Sequence, residues 1–346
     1  GASAQSDNAG RRQRFQQVHI VNRLVQSFDG CKNTQKNLVT AFLIILIGSP
    51  LPYKHIHKPY CKIIILPLLH NKTTMIEKKD IAVVIPIYRQ RLTNNESLSL
   101  KQCLSVLKDY PIIAIHPQSL DLATTDYGGL LPNTIDLPDN NFASLRSYNK
   151  MVLSPEFYEL FADYKYILIY QLDAYVFRDE LVYWANLGYD YIGAPWMPWD
   201  KHLMTWRGKR WLQIKRAFWR LANKERLKEE KYLRYEVGNG GFSLRKVKAM
   251  TDITITYKEK IARLLDDKLP FYPEDVFLLL ELDKRGHKLR RPPFRKALAF
   301  AMEHNPKDAY RLNGHQLPFG CHNWMDKNMA DFWKKHITID NNGHDI

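Results

Sequence analysis

Cysteine is scarce in this 346-residue chain, and Cys31, Cys61, Cys103 and Cys321 are scattered with no Cys-x-x-Cys pair. That excludes a disulfide scaffold and a structural zinc site of the usual spacing, and it fits reduced thiols in a reducing compartment. Long apolar runs are missing too. Leu38 to Ile47 is stopped by Gly48, Ser49, Pro50 and Pro52, and Ile63 to Leu69 is interrupted by Pro67, so neither reaches the about 20 apolar residues that span a bilayer. No small-residue cleavage site follows either run promptly, which argues against a signal peptide. A P-loop is absent, no glycine-rich dinucleotide fingerprint follows the first strand, and no internal repeat is visible.

Acidic residues are outnumbered, 36 Asp and Glu against 51 Lys and Arg, for a formal charge of +15. The surplus sits in two places. Residues 1 to 74 hold about 10 basic against about 2 acidic residues, and residues 201 to 235 about 12 against about 3, with the rest near neutral. A basic excess confined to two segments is not the footprint of a nucleic-acid-binding surface, and no nucleic acid is expected as a partner.

What is present begins in earnest at Met75, the first methionine. Residues 1 to 74 read as a poorly ordered basic leader upstream of the native start, with a membrane-associating leader as the competing reading. From Ile81 the pattern is regular. IAVVIP (81–86) reads as a buried strand, Leu98 to Leu107 as a helix, PIIAIHP (111–117) as a second strand, and Met151 to Phe161 as helical pieces broken at Ser154-Pro155. YILIY (166–170) reads as a central strand covered on both faces, and YIGAPW (191–196) as the next short strand. Strands alternating with helices imply a largely parallel sheet in one α/β domain over 75–346.

Four features inside that domain carry chemistry. Asp173 follows the central strand abruptly, where open α/β sheets bind ligands, and it is costly to bury without a cation. Asp179, ahead of Leu181, Tyr183, Trp184 and Leu187, is the better helix cap. In VGNGGFSLR, Gly238, Gly240 and Gly241 let the backbone turn sharply and approach a ligand. Glu274-Asp275 opens a helix in PEDVFLLLEL, and His322 follows a Gly turn in PFGCHNW. Separately, the insertion 199–235 contains a basic amphipathic helix. Trp211, Ile214, Phe218, Leu221 and Ala222 share one face among Lys209, Arg210, Lys215, Arg216 and Arg220. It reads as a helix packed on the domain with a solvated basic face, as a contact with an anionic membrane, or as a lid near an anionic substrate.

The order QLDAYVF, YIGAPW, GNGGFSLR, PEDVF, PFGCHNW resembles the GT-A nucleotide-sugar glycosyltransferases, in particular a mainly bacterial group of unknown function within that fold. The resemblance covers about residues 80 to 335, and five motifs in the right order make it specific. It implies a Rossmann-like, mixed, mostly parallel sheet with helices on both faces. It also implies Mn²⁺ or Mg²⁺ held by Asp173 and His322, and a UDP- or GDP-sugar donor bound by Pro86, Tyr88, Asn149, Gln171, Gly240 and Gly241. Asp275 would be the base of an inverting enzyme, with Glu274 beside it. Gln171 departs from the family's Asp-x-Asp motif, leaving a neutral hydrogen-bonding group at its first position. The implied activity is sugar transfer to a saccharide or other hydroxyl acceptor in surface-glycan synthesis, by a cytoplasmic protein stationed peripherally at the inner membrane face. The rival readings are a metal-dependent sugar-phosphate hydrolase and a non-catalytic glycan- or membrane-binding protein on a degenerate transferase fold.

Overall fold

The computed structural model describes residues 42–45, 64–67, 75–198, 205–221, 233–283 and 286–337. The chain divides into two units, Gly1–Thr73 and Thr74–Ile346. In the first, β1 (Phe42–Ile45) pairs antiparallel with β2 (Ile64–Pro67). The reading of residues 1 to 74 as a leader falls mostly outside the described residues.

The second unit is built on six strands, β3 (Ile81–Pro86), β4 (Ile112–Pro117), β5 (Thr134–Leu137), β6 (Tyr166–Tyr170), β8 (Tyr191–Ile192) and β9 (Phe242–Lys246), in the order β5-β4-β3-β6-β9-β8. The first four strands of that order are mutually parallel, and β9 runs antiparallel to both β6 and β8. This is the mixed, mostly parallel α/β sheet that the strand-helix alternation predicts.

Burial on both faces explains why the central strands are unbroken apolar runs. Along β3, Ala82 and Val84 join one core while Ile81, Val83 and Ile85 join the other. Along β6, Ile167 and Ile169 oppose Tyr166, Leu168 and Tyr170 in the same way. Helices Leu145–Val152 and Val247–Thr256 close the first core, and helices Asn94–Val106, Leu181–Asn186 and Phe294–Phe300 the second. Helix Asn94–Val106 starts before the predicted Leu98, because Thr93 and Glu96 form a capping box ahead of the apolar positions. The break at Ser154-Pro155 is as predicted, with the Ser154 side chain accepting from the Phe157 N–H and the proline opening helix Pro155–Glu159.

Two expectations need correction. YIGAPW is a strand only at Tyr191–Ile192, after which the chain keeps a single bridge, Pro195 to Val237. The N-cap position of helix Leu181–Asn186 is Glu180 rather than Asp179, but the Glu180 side chain makes no cap bond and the Leu181 N–H donates to Asp179 Oδ1 at 3.4 Å. Asp179 also accepts from the Tyr110 hydroxyl at 2.5 Å and pairs with Lys78 at 2.8 Å, tying the helix start to the residues just before β4 and just before β3.

A smaller sheet of β10 (Ala301–Met302), β11 (Gly320–Cys321) and β7 (Tyr175–Val176) flanks the carboxyl end of β6. Its register decides the site. Met302 lies opposite Cys321 in the parallel pair and Cys321 opposite Tyr175 in the antiparallel one, so Glu303, His322 and Ala174 emerge side by side one residue beyond the strands.

Candidate functional site

β6 does not stop at Tyr170. The Gln171 N–H donates to the Gly241 carbonyl at 2.8 Å, extending the ladder with β9 by one residue, and Ala174 N–H closes a turn onto the Gln171 carbonyl. That turn is pinned from outside by Trp324, whose indole N–H donates to the Ala174 carbonyl at 3.1 Å. Gln171, Asp173 and His322 are thereby brought to one point. His322 Nε2 lies 3.1 Å from Asp173 Oδ1 and 3.3 Å from Gln171 Oε1.

The spacing is that of an ion pair, and it is also the spacing that two ligands of one cation would have. Asp173 Oδ1 is buried, and the group beside it is His322 Nε2, at ion-pair distance. Two donors bound at about 2.1 Å to one octahedral cation stand about 3 Å apart. On the other side of the ring, His322 Nδ1 lies 3.0 Å from Glu303 Oε1. A carboxylate holding the Nδ1 proton would let Nε2 coordinate a cation that displaces the Nε2 proton, the usual arrangement behind a metal-ligating histidine. Two oxygens and an imidazole form a donor set that suits Mn²⁺ or Mg²⁺ better than a thiophilic ion. Among the described residues no group of three or more His, Cys, Asp or Glu has metal-holding geometry; the third donor here is an amide.

Electrostatics follow from this crowding. Burial works against a charged His322, yet Asp173 and Glu303 raise its pKa to about 10. Burial likewise pushes Asp173 and Glu303 upward, but the imidazolium wins and holds both below the usual carboxylate range.

Asn239 joins this centre to the second half of the site. It takes the left-handed backbone conformation, with φ of 72°, a region that favours glycine and also admits asparagine. Its Nδ2 lies 2.8 Å from His322 Nδ1 and donates to the Glu303 carboxylate that faces the same nitrogen, and its own N–H donates to Asp275 Oδ2 at 3.1 Å. Asp275 also accepts from the Val276 N–H at 2.8 Å. Burial, then the neighbouring charges of Glu274 and Glu303, outweigh those two bonds and raise the Asp275 pKa to about 7.

The glycines serve these side chains directly. A Cβ on Gly241 would stand 2.0 Å from His322 Nε2 and 2.5 Å from Gln171 Oε1, and one on Gly240 would stand 2.2 Å from Glu274 Oε1. The close approach predicted for a ligand is therefore made by the protein's own groups.

A cleft of about 740 Å³ opens over the turn. Pro86 and Tyr88 line one edge, Gln171 and Asp173 the floor, and Asn323 and Asp326 the opposite wall. Tyr88 is 55% exposed at the end of β3. Asn149 does not reach the cleft; it is buried beneath it, and its predicted place is taken by Tyr148, whose hydroxyl has no hydrogen-bond partner. His322, Asp275 and Glu274 are likewise not among the lining residues. Glu274 is engaged elsewhere. Its Oε1 accepts from Arg245 at 2.6 Å, and both side chains are almost fully buried. The same guanidinium donates to the Gly240 carbonyl and the Tyr158 hydroxyl, so this pair braces the 238–241 turn from beneath. Sequence reasoning missed Asn239, Glu303, Arg245 and Tyr148.

Three solved structures to which the chain is similar are glycosyltransferases. The galactosyltransferase LgtC, in complex with donor and acceptor sugar analogs, is 14% identical, with 70% of this chain and 86% of that one covered at a TM-score of 0.41. The glycosyltransferase GlyE of Streptococcus pneumoniae is 12% identical over 76% of this chain and 61% of its own, with a TM-score of 0.43. Core-mannan synthase A of Aspergillus fumigatus, in its Mn/GDP form, is 11% identical over 59% and 69%, with a TM-score of 0.36. No curated protein matches the chain. The model of one family of proteins of unknown function, DUF5672, matches residues 132–322, more than half of the chain and the stretch holding every residue from Gln171 to His322 described above, and the chain belongs to that family.

Proposed function

We propose that this protein is a metal-assisted, inverting glycosyltransferase that moves a sugar from a nucleoside-diphosphate donor to a hydroxyl acceptor. The observation that carries this reading is the convergence of Gln171 Oε1 and Asp173 Oδ1, which line the cleft, with His322 Nε2 behind them, and with Asp275 held to the same centre through Asn239.

Gln171, Asp173 and His322 would hold Mn²⁺ or Mg²⁺, which when bound supplies positive charge against the leaving diphosphate. Glu303 keeps the His322 ring turned so that Nε2 faces Asp173 and Gln171. Tyr88 offers an exposed ring at the cleft edge on which a nucleobase can stack. Asp275, which lies behind the cleft lining with its pKa raised to about 7, would take the acceptor hydroxyl's proton as that oxygen attacks the anomeric carbon, once the acceptor reaches past Asn239. Two carboxylates thus serve two ends of one displacement, Asp173 the leaving group and Asp275 the nucleophile. An attack that inverts the anomeric centre needs such a base opposite the departing phosphate. UDP- and GDP-sugars are the donor classes to try first, and glycan synthesis is the setting.

The test is turnover of a panel of UDP- and GDP-sugars with Mn²⁺, with and without saccharide acceptors, read by NMR of the product's anomeric proton. Acceptor-dependent release of nucleotide with an inverted anomeric centre supports the reading. Release to water at the same rate without an acceptor would make the protein a hydrolase, and retention of configuration would remove Asp275 from the role of base.

A further inference from the structure

Helix Trp206–Leu221 faces the wrong way for a packed surface helix. The side it sets against the domain carries Gly208, Leu212 and Arg216, with Leu212 buried and Arg216 paired to Glu236. The opposite side points outward and holds Trp211, Ile214 and Phe218, which are 42%, 50% and 66% exposed, with Trp206 at 73% one turn earlier. An amphipathic helix normally buries its apolar stripe and leaves its charges in water. Here a buried arginine anchors the helix and the aromatic stripe is presented.

The charges around that stripe all have one sign. Arg207, Arg210 and Lys215 are exposed, Lys209 reaches back over the Tyr235 ring of the domain, and residues 206 to 221 contain no Asp or Glu. Lys215 Nζ lies 5.7 Å from the Trp211 ring centroid and the Arg207 guanidinium 5.7 Å from that of Trp206, so cations and indoles share one surface. A surface with tryptophan, phenylalanine and isoleucine at its centre and only cations on its flanks complements the interface of an anionic bilayer, where apolar side chains enter the acyl boundary while Lys and Arg meet the headgroups. No helix among the described residues is long and apolar enough to cross a membrane. We infer that helix Trp206–Leu221 docks the protein on an anionic lipid surface, whatever reaction the cleft performs.

The experiment is co-sedimentation of the full chain with vesicles of phosphatidylglycerol in phosphatidylcholine and of phosphatidylcholine alone. Binding to the anionic vesicles only, weakened by salt, is expected. Arg210→Gln with Lys215→Gln should lower the partition coefficient roughly 30-fold, at about 1 kcal/mol per charge. Ile214→Ser with Phe218→Ser should lower it at least as far, and because those side chains are exposed, the melting temperature of each variant should match the wild type. No binding to anionic vesicles overturns the inference. So does wild-type binding in both variants, which would assign the affinity to the basic residues 1 to 74. A dimer that Phe218→Ser dissociates, in a protein that ignores vesicles, would give the face to a second copy and overturn it as well.

Discussion

Asn239 and His322 lie 2.8 Å apart, Nδ2 to Nδ1, and the backbone N–H of the same Asn239 donates to Asp275. One residue therefore sets the distance between the proposed metal ligand and the proposed base, and its left-handed backbone lets a single turn point in both directions.

The metal centre is the first thing to test. Asp173→Ala and His322→Ala should each weaken Mn²⁺ binding and Mn²⁺-dependent donor binding by at least tenfold, measured by titration calorimetry, because each removes one of three donors. Full Mn²⁺ affinity in both variants would remove the site.

Glu303 acts on the metal only through His322. Glu303→Gln keeps an oxygen near Nδ1 and should reduce Mn²⁺ affinity by about 10- to 100-fold, with the melting temperature little changed. Glu303→Ala should cost more in both. An unaltered affinity in the Gln variant would mean that the ring is held by Asn239 alone.

Gly241→Ala places a methyl where His322 Nε2 and Gln171 Oε1 now stand. The expected result is a loss of Mn²⁺ affinity together with about 1–3 kcal/mol of stability from overpacking, read by urea unfolding. An alanine variant that binds Mn²⁺ normally would show that the ring can move away without consequence.

Much of this was readable in the residues, and the limits have physical causes. β3 and β6 are legible as apolar runs because both their faces are buried, and Asp173 stands out because a carboxylate directly after such a run needs a reason. Glu303 gives no such signal; its approach to His322 depends on the β10–β11 register, a pairing that periodicity cannot reveal. Arg245 reads as an ordinary strand residue until Glu274 is found 2.6 Å away. Asn239 gives no signal among Gly238, Gly240 and Gly241, because glycine is the residue that a tight turn ordinarily selects. Helical spacing identified the face of Trp211, Ile214 and Phe218 but not its direction, because amphipathicity marks two sides without saying which is buried.

The Glu274–Arg245 pair should behave as structure rather than chemistry. Glu274→Ala leaves a guanidinium buried and unpaired, and should destabilise the fold by about 3–5 kcal/mol in urea unfolding. A stable Glu274→Ala variant that has lost only transfer would return Glu274 to the reaction.

The most direct measurement is single-turnover sugar transfer by the wild type and Asp275→Asn, with donor and Mn²⁺ saturating, across pH. In the wild type the rate should rise as pH passes about 7, because the working base is the carboxylate and below that pH it carries its proton. Asp275→Asn should transfer roughly 10² to 10⁴-fold more slowly at the plateau, lose the rise near 7, and keep wild-type affinity for Mn²⁺ and donor. Transfer at a near-normal rate in the Asn variant, with the same pH profile, would contradict the assignment of Asp275 as the base and with it the two-carboxylate mechanism.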